Sequence, residues 1–302
     1  MTAVLAPGSK KTAAAMEAAA VKGRSLWDDA RRRLFRNKAA MTSMTLLAFL
    51  LAAAVVGPYL VPFRYDQINK DDVWAAPLMA GHLLGADSLG RDLLARLLIG
   101  LRVSLAIGVV ASGVSLIIGV TWGAVAGYVG GRVDELMMRI VDVLYSLPFV
   151  FFVILLMVTF GRNFILIFVA IGAVEWLTMA RIVRGQTLSL KQKEFVEAAR
   201  AVGVGTRGVI GRHIVPNLLG PVVIYVTLTI PNVILIESFL SFLGLGVQEP
   251  LTSLGTLISL GAADMELAPW LLIFPSIVMV LMLMAFNFIG DGLRDAIDPK
   301  DR

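Results

Sequence analysis

Cysteine is absent from all 302 residues, and histidine occurs twice, as His82 and His213. The first absence excludes disulfides, thiol nucleophiles and Cys-based metal sites. The second leaves two widely separated imidazoles and no basis for a metal cluster. Charge is scarce as well: Asp, Glu, Lys and Arg make up 16% of the chain, against about a quarter in soluble domains. No G-x-x-x-x-G-K-[ST] segment occurs, so the chain has no phosphate-binding P-loop of its own. What is abundant is apolar surface. The chain is 58% hydrophobic, with a mean hydropathy of +0.81, more than one water-facing domain can bury. The net charge of +5 is divided among segments between apolar runs. It forms no basic face for nucleic acid and instead carries topology information.

Five stretches hold no Lys, Arg, Asp or Glu: Ala39 to Phe63, Val103 to Gly131, Val143 to Gly161, His213 to Ile236 and Leu267 to Gly290. Each is near or above the roughly 20 residues that a membrane-crossing helix needs. A sixth, Asn163 to Ala180, is interrupted only by Glu175. Barrel strands would be short and alternating, and these runs are neither. The expectation is an all-α membrane protein with about six transmembrane helices. Its parts are a tail over 1–38, a first span over 39–63, an external segment over 64–101 and a core transmembrane domain over 102–302. Placing both termini in the cytoplasm leaves only Arg64, Lys70, Arg91, Arg96, Arg102 and Arg162 outside, of 27 Lys and Arg. That asymmetry is the one cytoplasmic loops carry.

The first 38 residues have no apolar core, so the first span reads as an uncleaved anchor. Ser25 to Arg36 reads as a short helix with a Ser25–Asp28 capping pattern and Trp27, Ala30 and Leu34 on one face. Lying on an anionic leaflet and serving as a solvated basic tail both suit it.

The loop over 184–212 is longer than a connector requires. Lys191 to Val202 reads as a helix. Phe195, Ala198, Ala199 and Val202 recur at i, i+3, i+4 and i+7, giving an apolar stripe with small residues at its centre. Glu197 and Arg200 stand at pairing distance along a helix. Gly203 is placed to stop it, and Pro216 stands near the start of the fifth span. Gly203 to Gly208 also satisfies G-x-G-x-x-G. A helix precedes that segment, a span follows it, and the next carboxylate is Glu237, so the dinucleotide-binding context is missing.

Glu197-Ala198-Ala199, then Gly203, then Pro216 resembles the EAA loop of ABC importer permeases. His213-Ile214-Val215-Pro216 is similar to the peptide-permease branch. Further resemblances lie in His82 to Asp92, Gly127 to Asp134, Trp176 to Gln186, Ser241 to Pro250 and Phe286 to Pro299. The last segment, and Glu249 after Gln248, are most similar to the C subunits of oligopeptide permeases. Together the matches run from about residue 24 to the end. The resemblance implies a MetI-like permease fold in a bacterial inner membrane, importing oligopeptides, with dipeptides, cell-wall peptides or nickel chelates as the alternative cargo of similar permeases. It also implies a second homologous permease subunit, two ATP-binding subunits and a periplasmic peptide-binding protein as partners. ATP and Mg would sit on the ATP-binding subunits, with no cofactor and no catalytic residue on this chain. The residues implied to couple to those subunits are Phe195, Glu197, Ala198, Ala199, Arg200, Gly203 and Pro216.

Physical cost directs attention to Glu175, because a carboxylate at membrane depth costs on the order of 3 kcal/mol. It either lines the transport path or pairs internally, with Arg181 the nearest candidate. Glu237, nearer a span end, is the second candidate for the path. In the external segment, His82, Asp87, Arg91 and Asp92 read as local ion pairs within a cap. A gradient-driven secondary transporter would need more buried carboxylates and internal repeats than are present. An intramembrane enzyme would need a paired nucleophile and base, and none is spaced for that role.

Overall fold

The computed structural model describes residues 26–161 and 164–297, with side-chain surroundings for 30–161 and 168–297. Among these, regular structure is helical, and β pairing is confined to two isolated bridges in the segment before the second long helix. The helices are α1 (Leu26–Arg36), α2 (Lys38–Val56), α3 (Leu93–Val129), α4 (Gly131–Ser146), α5 (Phe149–Phe160) and α6 (Phe164–Leu190). They continue with α7 (Glu194–Ala201), α8 (Thr206–Val209), α9 (Val215–Phe242), α10 (Leu254–Ala263) and α11 (Trp270–Ile297).

Four helical stretches are long and apolar enough to cross a membrane: Lys38–Tyr59, Leu93–Val129, Thr206–Phe242 and Trp270–Ile297. α6, with 27 residues, also exceeds the length a crossing requires. The third expected span is corrected. It is no single helix over 143–161 but two, α4 and α5, meeting at 82°. Pro148 is the cause. It fixes its own φ and lacks the N–H to continue α4, and it holds the preceding Leu147 extended, at φ −74° and ψ 130°. The helix that holds the second expected span is longer than that span: α3 begins at Leu93, where the Asp92 side chain caps it by accepting from the Ala95 N–H at 2.7 Å.

α3 is the hub. Gly119, Gly123 and Gly127 recur every fourth residue, so they share one face, and α6 lies directly on it. A Cβ added at Gly127 would stand 2.8 Å from the Arg184 carbonyl oxygen, and one at Gly119 would overlap the Met179 side chain. This is the small-residue spacing that lets membrane helices approach closely. Contacts of Gly119 with Met179 and of Gly127 with Arg184 and Thr187 make α3 and α6 parallel. α4 runs back beside them, tied to α6 by Asp134–Arg184 and Asp142–Arg181.

The described ends of the chain lie at the pole that holds α7. Gly292 of α11 meets Ala40 and Leu34, and Ile297 approaches Gly220 at the start of α9. α1 therefore packs on α11, and its Leu34 is half-buried while Arg31 and Arg32 stay exposed. The expected Ser25 cap lies outside the described residues, as do the side-chain surroundings of Trp27. At the opposite pole the expected cap is present. His82 Nδ1 and Asp92 Oδ1 are 2.8 Å apart, and Arg91 Nε donates to Asp87 at 2.7 Å. A partner that sequence proximity could not reveal joins them: Arg91 NH1 donates to Glu249 at 2.7 Å, tying the segment after α9 to the start of α3.

Candidate functional site

α7 is shorter than the expected 191–202 helix, and its apolar stripe is divided. Val196 is fully buried and Ala199 nearly so, at 6% exposure. Both pack in one cluster with Tyr128 of α3, Val183 of α6 and Leu218 and Val222 of α9. Phe195, at 39%, and Val202, at 79%, face outward, and Ala198 and Glu197 are exposed beside them. Val196, which the stripe omitted, is thus the anchor, and Ala199 belongs to the inner face rather than the outer one. The reason is geometric. Ala199 is four residues from Phe195 but also three from Val196, so it sits at the edge of the stripe, and α7 packs on its 196/199 side.

The expected Glu197–Arg200 pair is not formed. Arg200 turns to α3 instead, where its Nε donates to the Tyr128 hydroxyl at 3.1 Å and its guanidinium lies 5.0 Å from the ring centre. Lys191 approaches the same ring at 5.7 Å. Gly203 does stop the helix. Its φ is +83°, its N–H donates to the Arg200 carbonyl at 2.9 Å, and the Val204 N–H reaches back to the Ala199 carbonyl at 3.0 Å. That is the paired closure of a Schellman motif, which requires the left-handed conformation glycine adopts at least cost.

Pro216 stands in the first turn of α9 and is exposed. Because it has no N–H, the regular bond back to Arg212 cannot form. The preceding turn, Ile210–Ile214, widens to a π-helix in which the Val215 N–H bonds Ile210. The loop that carries α7 is therefore bound on both sides to spans. α6 enters it without interruption, and the π turn leads straight into α9.

The second feature is a cavity of about 470 Å³ where the α4–α5 bend faces α6 and α9. Leu147 and Phe149 at the bend form one wall, and Val174, Glu175 and Ile182 of α6 another. Tyr225, Leu228, Thr229 and Asn232 of α9 close it. Glu175 accepts a 3.1 Å hydrogen bond from the Asn232 amide. It does not pair with Arg181, which donates to Asp142 at 2.8 Å and lies over the Tyr145 ring at 4.3 Å. Asn232, 57 residues away, carried no sequence signal.

Glu237, the second candidate for the path, does not line this cavity. It is fully buried and accepts hydrogen bonds from Ser241 at 2.8 Å and Ser253 at 2.6 Å. Both bonds reach the same oxygen, Oε1; the one from Ser253 fastens α9 to the start of α10, and Oε2 is buried with no hydrogen-bond partner among the described residues. Among the described residues, no group of three or more His, Cys, Asp or Glu could hold a metal ion.

Comparison with known proteins places this arrangement. Residues 119–302 match the family model described as "binding-protein-dependent transport system inner membrane component". Residues 25–77 match the "N-terminal TM domain of oligopeptide transport permease C". The oligopeptide transport system permease protein OppC of Haemophilus influenzae is 58% identical, over 93% of this chain and 91% of its own. Its namesake in Escherichia coli K12 is 56% identical over 93% of this chain and 94% of its own. The dipeptide transport system permease protein DppC of Bacillus subtilis is 45% identical over 95% and 90%. Among solved structures, the inward-facing MetNI methionine ABC transporter shares the fold with a TM-score of 0.55. That chain is 18% identical, and the match covers 68% of this chain and 96% of that one. The chain therefore belongs to the family of binding-protein-dependent transport system inner membrane components.

Proposed function

We propose that this chain is the oligopeptide-translocating permease subunit of an ABC importer, and that α7 is the element through which partner ATPases drive it. The observation that carries the reading is the divided face of α7. One side is locked into α3, α6 and α9, while Phe195, Ala198 and Val202 remain exposed among the described residues. A short helix fastened to three spans on one side and bare on the other is built to receive a moving partner and pass on its displacement.

In this reading the chain lies in a bacterial inner membrane, with α7 and both termini in the cytoplasm, where the cation asymmetry puts them. Two ATP-binding subunits hold ATP and Mg and perform hydrolysis. One of them seats against Phe195, Glu197 and Ala198. A second, homologous permease subunit completes the path, and a periplasmic binding protein delivers the peptide. ATP-driven closure of the ATPase pair moves α7, and the glycine-packed α3–α6 pair carries that motion to the Glu175 cavity. The spans then alternate between states because nucleotide and cargo favour different ones. The chain makes and breaks no covalent bond.

The test uses the full transporter in proteoliposomes. Ala198→Arg places charge and bulk on the outer face and leaves the inner packing untouched. It is expected to abolish peptide-stimulated ATP hydrolysis and release the ATP-binding subunits, with membrane insertion and permease pairing retained. Normal stimulation in that variant refutes the docking role of α7.

A further inference from the structure

The Glu175 cavity has a chemical character that its position in the path does not by itself require. Among the described residues its lining contains one carboxylate and no Lys, Arg or His. Glu175 receives a single hydrogen bond, on one oxygen, from Asn232. Arg181, the nearest cation in sequence, is already engaged by Asp142 and Tyr145. The remaining polar groups are rich in acceptors. The Thr229 hydroxyl spends its proton on the Tyr225 carbonyl at 2.8 Å, which leaves its lone pairs free. Asn232 spends an amide N–H on Glu175 and keeps its carbonyl oxygen. Thr178 adds a hydroxyl, and Tyr225 an aromatic ring.

A half-buried carboxylate at membrane depth calls for an opposite charge, because water there is scarce. A compact group with three N–H donors and a positive charge matches a carboxylate, neighbouring hydroxyl and amide oxygens, and an aromatic ring. The apolar remainder of the walls suits the side chains such a group would carry with it. We infer that Glu175 and Asn232 form a subsite for the ammonium group of a peptide in transit, supplied by its N-terminus or by a lysine side chain. The permease itself, and not only the delivering protein, then selects for a protonated amine. This inference rests on the cavity being part of the translocation path.

The experiment uses the complete transporter and its binding protein in proteoliposomes, with three forms of one peptide: free N-terminus without lysine, N-acetylated without lysine, and N-acetylated with one lysine. Affinity of each for the binding protein is measured separately, and uptake is compared at saturation. Glu175→Gln is expected to slow uptake of the two amine-bearing peptides by about tenfold, the loss of one charge-assisted hydrogen bond. Uptake of the acetylated peptide without lysine and stimulation of ATP hydrolysis should stay within about twofold, and Glu175→Asp should recover part of the amine preference. A response confined to one amine peptide supports the subsite and identifies its source. Equal slowing of all three peptides, as a salt bridge to the partner permease would produce, overturns it, and so does no change. Because the chain has no cysteine, Thr178→Cys offers a single thiol in it. Bulky labelling there should block all three peptides. Failure to block removes the path reading, whatever Glu175→Gln does.

Discussion

Arg200 and Tyr128 are joined twice: the Arg200 Nε donates to the Tyr128 hydroxyl at 3.1 Å, and its guanidinium lies 5.0 Å from the ring centre. Arg200 is the penultimate residue of α7, and Tyr128 the penultimate residue of α3, so this pair fixes the short helix to the hub of the bundle. A loop helix attached only through its chain connections would yield when pushed. On the proposed coupling reading, the hold at Tyr128 is what lets it transmit force.

That attachment makes transport efficiency sensitive to Tyr128. Tyr128→Phe removes the hydroxyl bond, worth about 0.5–1.5 kcal/mol, and keeps the ring under Arg200. Tyr128→Leu removes both contacts. The number of ATP molecules consumed per peptide imported is expected to rise slightly in the first variant and severalfold in the second, with the ATP-binding subunits still bound. Wild-type stoichiometry in Tyr128→Leu would show that α7 transmits by another route.

The glycine face of α3 predicts a steric effect. Gly123 lies against the Ala180 carbonyl and the Val183 side chain of α6, leaving no room for a Cβ. Gly123→Val forces the helices apart, at about 1–3 kcal/mol for overpacking. Purified transporter should unfold at lower temperature and lose peptide-stimulated ATPase activity. Gly113, which meets nothing within 4 Å, should accept alanine with no change in either measurement.

Asp134 and Arg184 form a two-pronged ion pair, with both contacts at 2.6 Å, between the start of α4 and the α7 end of α6. Arg184→Ala leaves the buried Asp134 without its partner and is expected to cost about 1–3 kcal/mol. Arg184→Lys should recover only part, because an ammonium cannot reproduce the fork. A double-mutant cycle with Asp134→Ala, read as thermal stability of the complex, should show a favourable coupling. Zero coupling would mean that the two side chains do not act together.

Much of this was open to a reader of residues. Long uncharged runs announced membrane helices because lipid offers backbone groups no other partner. Gly203 announced the end of α7 because few residues take its φ cheaply. The EAA pattern marked the loop and the family. Pro148 is visible in the sequence as a residue that kinks or starts a helix, but the uncharged run continues across it and hydropathy does not register backbone geometry, so the 82° angle of the break is decided by the structure.

Local chemistry along the chain was thus sufficient for the helical membrane class, the pole on which the charges gather and the position of α7, since each depends on neighbours within a turn or a span. Packing alone settled the rest: that Ala199 faces inward while Ala198 faces outward, that Arg200 leaves Glu197 for Tyr128, that Glu175 meets Asn232 in a cavity and that Glu237 is enclosed by serines. The Arg200 and Glu175 contacts join residues more than 50 positions apart, the Ala198–Ala199 division chooses between two faces of one helix, and Glu237 reaches across a chain reversal to Ser253. A linear pattern states which side chains are available; only the assembled bundle determines which of them meet.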